Sequence, residues 1–307
     1  MTSYVTVVCT GRTISVGQQQ ELMKVIRGAG ATVETEASTG DDRFQVRTIE
    51  TVVPAGSGED SPDGGNLAAA IHKLRAALRD AEWPDIDITV VPTVLRQAGR
   101  KLLVMDVDST LIQQEVIELL ADYAGKKDEV AAVTEAAMRG ELDFAQSLHA
   151  RVATLAGLPL DVIGKVQGEI MLSDGAATLV AAFHAAGHAV GVVSGGFNQI
   201  LEPLARDLEL DYWQANDLEI VDGFLTGKVL GAVIDRAAKE TYLRQWAATE
   251  GIAMADTIAV GDGANDLDML EAAGLGIAFN AKPAVRRAAD AALNLPFLDA
   301  VRHVAGV

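Results

Sequence analysis

Three short segments of the sequence place acidic or hydroxyl residues directly after an apolar run. Asp106 and Asp108 follow the run 102–105, Ser194 and Gly195 follow 189–193, and Asp262 follows 257–260. A carboxylate at the mouth of a buried strand costs desolvation energy and repels its neighbours, so it persists where a cation or a reaction compensates it. Carboxylates are ligands that Mg²⁺ prefers, and a serine hydroxyl with glycine amides near a helix start favours an anion. These residue types predict a Mg²⁺ site that also holds a phosphate.

A second acid, Asp266, stands four residues beyond Asp262, and the flanking Gly261 and Gly263 let the backbone approach a ligand closely. Each segment alone has an ordinary structural interpretation, because such acids and glycines are common in polar turns and Ser194 could simply cap a helix. In an open parallel α/β sheet, however, the ligand crevice lies beyond the carboxyl ends of the strands. Three such segments, each at a strand end, favour one common site.

Two regions differ in their pattern of elements. After Lys101, apolar strands alternate with alanine-rich helices, which predicts an α/β fold with a parallel sheet and helices on both faces. Before it, the pattern predicts a βαββαβ unit. Its strands are expected at 4–10, 32–37, 44–53 and 86–91, its helices at 17–28 and 66–81, and a long loop at 54–66. We expect domains at 1–95 and 96–307, and a β-hairpin around Asp222 and Gly223.

The composition excludes several classes of function. The 307 residues carry a formal net charge of −18 with no basic stripe, so we expect no nucleic acid and no membrane as a partner. No apolar stretch approaches the roughly 20 residues that span a bilayer, and the N-terminus lacks a secretory signal, so a cytoplasmic location is expected. The single cysteine, Cys9, allows no intrachain disulfide and is expected to be a buried bystander.

Four motifs carry a resemblance to a known family. The segments "DVDSTL", "VSGG", the lysine in "AAKETYL" and "GDGANDLDML" resemble the motifs of the haloacid dehalogenase superfamily of aspartyl phosphotransferases. The longer stretches "DVDSTLIQQEVIELLADYAG", "MRGELDFAQSL", "VSGGF" and "AVGDGANDLDMLEAAGLGIAFNAKP" are similar to the phosphoserine phosphatases of that superfamily. The resemblance covers the chain from about Leu102 onward and implies a Rossmann-like sheet with a small helical cap at about 115–167.

Carried over by position, the resemblance implies a role for each motif residue. Asp106 would be the nucleophile and Asp108 the general acid and base. Asp106, the Asp108 carbonyl and Asp262 would hold Mg²⁺, with Asp266 supporting them. Ser194, the Gly195 amide and Lys239 would bind the transferring phosphoryl group, with Asn265 close by. The motif lysine, Lys239, would otherwise be interpreted as a solvated helix residue.

The resemblance also implies the substrate, O-phospho-L-serine. Glu115 matches the glutamate that meets the substrate ammonium, and Arg139 matches the arginine that meets its carboxylate. Without the resemblance, both residues would be interpreted as exposed helix residues. Mg²⁺-dependent hydrolysis of O-phospho-L-serine, the last step of serine biosynthesis, is therefore the leading expectation. Two alternatives stay open: a phosphatase or phosphotransferase for a related small phosphomonoester, and a catalytically idle protein that senses amino acids.

The βαββαβ unit resembles ACT-type regulatory domains by its pattern of elements alone. Its first strand leads into "GRTISVGQQQ", which lacks the acidic, proline-bearing turn common in amino-acid-binding ACT domains. Control by serine through this unit is therefore not expected. A homodimer formed through it is expected instead, because an exposed sheet edge or helix face favours pairing.

Overall fold

The computed structural model describes residues 3–53, 65–81, 83–138 and 141–307, so residues 54–64 of the predicted long loop lie outside the description. The first sheet is antiparallel, with the strand order β2-β3-β1-β4. Its elements are β1 (Ser3–Gly11), α1 (Val16–Gly28), β2 (Thr32–Gly40), β3 (Gln45–Val53), α2 (Gly65–Asp80) and β4 (Ile86–Pro92). The βαββαβ prediction is confirmed.

The alternation of side chains along β1 gives this sheet two buried faces. Val5, Val7 and Cys9 lie in a core with Leu22 and Ile26 of α1, so the expectation that Cys9 is buried is confirmed. The start of α1 is fixed by a capping box between Ser15 and Gln18. Leu74 and Leu78 of α2 lie in the same core, so both helices cover one face of the sheet.

The other face packs against the C-terminal part of the chain. Val8 and Phe44 belong to the same buried cluster as Phe297, and the rings of Phe44 and Phe297 stack with their centroids 5.5 Å apart. Arg43 donates two hydrogen bonds, of 3.2 and 2.6 Å, to the fully buried carboxylate of Asp299. The two sheets thus share a core. The predicted boundary between 95 and 96 falls inside the short helix α3 (Thr93–Gln97), whose Leu95 is buried in that core.

The second sheet has seven strands in the order β11-β10-β9-β5-β6-β7-β8. All neighbouring strands are parallel except β7 and β8. The strands are β5 (Leu102–Met105), β6 (Ala189–Phe197), β7 (Tyr212–Val221), β8 (Phe224–Leu230), β9 (Thr257–Gly261), β10 (Leu275–Phe279) and β11 (Ala291–Leu293). The predicted hairpin joins β7 to β8, and both turn residues, Asp222 and Gly223, have positive φ angles of 51° and 82°.

Helices cover both faces of this sheet, as predicted. Leu103 and Met105 of β5 face one buried cluster, whereas Leu102 and Val104 face the other. The covering helices are α8 (Ala176–Ala185), α9 (Asn198–Asp207), α10 (Arg236–Glu250), α11 (Leu267–Ala272), α12 (Pro283–Ala288) and α13 (Ala300–Ala305). The predicted cap segment holds α4 (Val116–Tyr123), α5 (Lys127–Met138), α6 (Phe144–Ala153) and α7 (Asp161–Glu169). Within the described ranges, no helix combines the length and the apolar character needed to cross a membrane.

Candidate active site

The carboxyl ends of β5, β6 and β9 meet at one edge of the second sheet, because β5 lies between the other two strands. Ser194 Oγ, in β6, donates a 3.0 Å hydrogen bond to Asp108 Oδ2. The carboxylates of Asp106, Asp262 and Asp266 lie within 4.8 Å of one another. The three sequence segments that suggested a site therefore do converge.

A tight turn after β5 fixes the two aspartates of the first motif. Val107 is buried in the core, and Asp106 Oδ1 accepts a 2.7 Å hydrogen bond from the Val107 amide. Asp108 Oδ1 accepts from the Val116 amide, at 2.8 Å, where α4 begins. Ser109 has a φ of +57°, a left-handed conformation that bends the chain back toward the cap helices. Both carboxylates thus face the crevice, but the chain leaves the extended conformation at Val107, so this turn and not the alternation of a strand places Asp108.

Lys239 lies in the first turn of α10 and is fully buried. Its Nζ lies 2.6 Å from Asp106 Oδ1 and 2.6 Å from Asp266 Oδ1. Burial alone would lower the pKa of Lys239, but the charges of Asp106 and Asp266 outweigh it and raise that pKa. The lysine therefore stays protonated between two carboxylates.

The three clustered carboxylates carry more negative charge than one lysine can offset. Burial, followed by the charge of Asp266, raises the pKa of Asp106 well above its usual range and that of Asp262 to about 6. Asp266 is occupied, since its other oxygen accepts a 2.9 Å hydrogen bond from the Gly263 amide. Asp106 and Asp262 therefore present oxygens that fit a hard divalent cation such as Mg²⁺.

The segment that carries Ser194 is held by a residue that the sequence analysis missed. The buried amide of Asn216, in β7, donates to the carbonyl oxygens of Gly195 (2.9 Å) and Gly196 (3.2 Å). Its Oδ1 accepts a 2.8 Å hydrogen bond from the Ile234 amide, just before α10. Asn216 therefore links the Ser194 segment to the helix that carries Lys239. The strand also carries Gln214, Asp217 and Glu219, so no signal in the sequence distinguishes Asn216.

The residues expected to recognise the amino acid are only partly described. Glu115 lies at the start of α4 and accepts a 2.7 Å hydrogen bond from Ser109 Oγ. Desolvation by the surrounding protein, and then the charge of Asp108, raise the pKa of Glu115 to about 7, although its side chain is exposed. Arg139 lies outside the described residues. Asn265 is half-buried beside Gly263, and no hydrogen bond joins it to Ser194 or Lys239, both of which the structure describes.

Two further residues near the crevice also escaped the sequence analysis. Thr110 is fully buried and its Oγ1 donates to Asp262 Oδ1 at 3.4 Å. Burial lowers the pKa of Arg151, in α6, while the charges of Glu115 and Asp108 raise it. The sequence offers no spacing that would distinguish Arg151 from an ordinary surface arginine. Arg151 thus places a cation from the cap segment within the field of these acids.

Comparison with known proteins gives the family. A family model of haloacid dehalogenase-like hydrolases matches residues 103–271, and the chain belongs to this family. Within it, the similarity is to phosphoserine phosphatases. The chain is 58% identical over 235 residues to the phosphoserine phosphatase of Streptomyces coelicolor, covering 76% of this chain and 57% of that protein. It is 47% identical over 302 residues to the phosphoserine phosphatase SerB2 of Mycobacterium tuberculosis, covering 98% of this chain and 71% of that protein.

Solved structures give the same result. A probable phosphoserine phosphatase from Vibrio cholerae superposes with a TM-score of 0.74 at 35% identity, covering 98% of this chain and 87% of that chain. A structure described as a phospho-aspartyl intermediate analogue of phosphoserine phosphatase superposes with a TM-score of 0.64 at 41% identity, covering 67% of this chain and 98% of that chain. The resemblance stated from the motifs is therefore confirmed.

Proposed function

We propose that this chain hydrolyses O-phospho-L-serine to L-serine and phosphate, with Mg²⁺, through an aspartyl phosphate on Asp106. One observation supports the proposal above the others: Asp106 is held by the buried Lys239, while Asp108 beside it is held by Ser194. Each of the two aspartates thus contacts one of the groups that would bind the phosphoryl oxygens. The solved structure described as a phospho-aspartyl intermediate analogue of phosphoserine phosphatase supports such an intermediate.

The reaction divides into two displacements at phosphorus. A carboxylate oxygen of Asp106 attacks phosphorus, the bond between phosphorus and the serine oxygen breaks, and Asp108 gives that oxygen a proton. Burial raises the pKa of Asp108, which favours the protonated form that this step needs. Asp108 then takes a proton from water, which attacks the phosphorus of the aspartyl phosphate. Phosphate leaves and both aspartates return to their starting states.

The remaining site residues hold the phosphoryl group. Lys239, Ser194 and the Gly195 amide would donate to its oxygens, with Asn265 at the edge of the site, and such positioned donors supply most of the rate. Asp106, the Asp108 carbonyl and Asp262 would hold Mg²⁺, which offsets the negative charge of the phosphoryl group and the aspartates when bound. Asp266 would support this arrangement by fixing Lys239.

Substrate choice would come from Glu115 and Arg139. The Glu115 carboxylate lies near Asp108 and would meet the ammonium group, and Arg139 would meet the carboxylate with its planar guanidinium. Arg139→Ala tests this assignment. It should reduce hydrolysis of O-phospho-L-serine while sparing phosphoethanolamine, which lacks the carboxylate. Equal losses on both substrates would contradict a carboxylate contact at Arg139.

The first experiment is phosphate release from O-phospho-L-serine by the purified chain, with Mg²⁺ and with chelator. We expect release that needs Mg²⁺ and that Asp106→Asn abolishes. Asp268→Asn is the matched control, since Asp268 lies in the same motif as Asp266 but pairs with Arg236 and not with Lys239. It should retain nearly full activity because such exposed pairs contribute little.

Two results would overturn the proposal. Wild-type chain that is folded and saturated with Mg²⁺ but releases no phosphate would exclude phosphoserine as the substrate. Release that survives Asp106→Asn would exclude the aspartyl phosphate.

The organisation of the chain completes the proposal. We assign residues 1–95 to a regulatory or dimerising unit, residues 96–307 to catalysis, and about 115–167 to a substrate-selecting cap. One face of the first sheet packs on the second unit and the other carries α1 and α2, so a homodimer would use the helix face or the exposed edge of β2. A cytoplasmic location also stays a prediction.

A further inference from the structure

A cavity of about 480 Å³ lies between the two sheets, and none of its lining residues is an active-site residue. Its floor runs along β4 and β11, which are edge strands of the first and the second sheet. Residues of α2 and α12 form its two sides. The volume lies within the range of about 300–1,000 Å³ that is typical of small-molecule sites.

Four arginines line this cavity, two from each side. Arg75 and Arg79 come from α2, and Arg286 and Arg287 come from α12. Arg75 is paired with Asp290 and also donates to the Val90 carbonyl, while Arg286 donates to Asn294 Oδ1 at 3.0 Å. Arg79 and Arg287 are exposed and have no hydrogen bond or ion pair to any residue that the structure describes.

The two acids in the cavity wall are already engaged. Asp87 accepts hydrogen bonds of 2.6 Å from both the amide and the side chain of Asn294, and one of 3.0 Å from the Leu295 amide. Asp290 accepts from Arg75 and from the Gly276 amide. Arg79 and Arg287 therefore leave two uncompensated positive charges, one on each side, in a chain whose net charge is −18.

We propose that this cavity binds a small organic phosphate monoester, with the phosphate between Arg79 and Arg287. A phosphate dianion compensates both charges, and guanidinium groups match its oxygens in a bidentate manner. The carbon part of the ligand lies against Trp83, whose Nε1 donates to the Leu78 carbonyl and so fixes the ring. Flat apolar walls of Ile88 and Ala291 complete this end of the site.

Such a ligand bridges the two units of the chain. Its phosphate contacts α2 of the first unit and α12 of the second, and it compensates the positive charge on each side of the cavity. A ligand that binds only this docked arrangement stabilises it. The inference does not depend on phosphoserine hydrolysis, since none of the residues that line the cavity belongs to the proposed active site.

Adenosine monophosphate is a suitable probe because it joins a phosphate to a flat aromatic ring. We would measure its binding to the full chain by titration calorimetry in chelator, with uncharged adenosine as the comparison. The double variant Arg79→Gln and Arg287→Gln should bind adenosine monophosphate at least tenfold more weakly than wild type. Arg27→Gln is the matched control, because Arg27 is also an exposed helix arginine without a partner among the described residues. It should bind like wild type.

The double variant could fail to fold, so the single variants Arg79→Gln and Arg287→Gln are also measured. Weaker binding of adenosine monophosphate by each of them would support the proposal. Wild-type chain that does not bind adenosine monophosphate would overturn it. So would binding that is unchanged in folded double variant, or adenosine that binds as tightly as its monophosphate.

Discussion

Asn216→Ala tests whether the phosphate-binding groups depend on a residue that touches no substrate. The variant removes the two hydrogen bonds to the carbonyl oxygens of Gly195 and Gly196 and the one from the Ile234 amide. These three bonds join the Ser194 segment to the start of the helix that carries Lys239. We expect the free energy of unfolding and kcat both to fall.

The size of each effect follows from the number and burial of these bonds. Each buried hydrogen bond contributes about 1 kcal/mol net, so the loss of three should reduce the free energy of unfolding by about 3 kcal/mol. A displacement of the catalytic groups by about 1 Å costs on the order of 100-fold in rate. Since the substrate still meets Glu115, we expect kcat to fall more than KM rises.

Asn198→Ala provides the matched control for this experiment. Asn198, the residue after β6, makes similar amide hydrogen bonds, to the amide and the carbonyl of Ala215 and to Asp217 Oδ1, but none to Gly195, Gly196 or Ile234. It should therefore lose stability in urea titrations while keeping its kcat. If Asn216→Ala also loses stability alone, with kcat within about twofold of Asn198→Ala, the Asn216 linkage does not position the phosphate-binding groups.

Three further predictions concern charge. The pKa of Glu115 is about 7, so the carboxylate that meets the substrate ammonium becomes protonated as the pH falls through about 7. KM for O-phospho-L-serine should therefore rise over this range, which initial rates measured against pH would show. Glu115→Gln should make KM less dependent on pH. Mg²⁺ at about 100 times its Kd should stabilise the folded chain by about 2.7 kcal/mol and so raise its Tm. Asp262→Asn should reduce this Mg²⁺-dependent rise in Tm. An equal rise in the variant would mean that the ion binds elsewhere. Arg43→Met should lower the free energy of unfolding by about 2–3 kcal/mol in urea, because it leaves the buried Asp299 with only the longer 3.9 Å contact to Arg302, and a further Asp299→Asn should recover part of the loss; the value lies below that of fully buried pairs because the Arg43 side chain is 31% exposed.

The elements that could be predicted from the sequence are those whose cause is local. The βαββαβ pattern of the first region, and the polar residues after three strands of the second, predicted both sheets and the convergence of Asp106, Ser194 and Asp262. The hairpin at Asp222 followed from turn chemistry. In each case neighbouring residues alone determine the outcome.

Features that depend on distant parts of the chain could not be predicted in the same way. Phe44 and Phe297 stack although they are far apart in the sequence, and the residues next to each of them do not predict the contact. In the sequence Lys239 resembles a solvated helix lysine, whereas in the structure it is paired with Asp106 and Asp266. Asn216 links two segments only because the fold places Gly195 and Ile234 within hydrogen-bonding distance of its side chain. The contacts between the two units and the polar network of the site could therefore be identified only from the structure.

The electrostatics of the site explain why its acids persist in a buried position. Burial and mutual repulsion raise the pKa of Asp106, and Lys239 offsets only part of that cost. Without a cation or a phosphoryl group, the negative charges of the site are therefore only partly compensated. A divalent cation compensates Asp106 and Asp262, and the donors Ser194 and Lys239 remain available to bind an anion. The same imbalance that lowers the stability of the free protein thus favours binding of a metal and a phosphate together. A site whose charges were already balanced would have less to gain from either ligand.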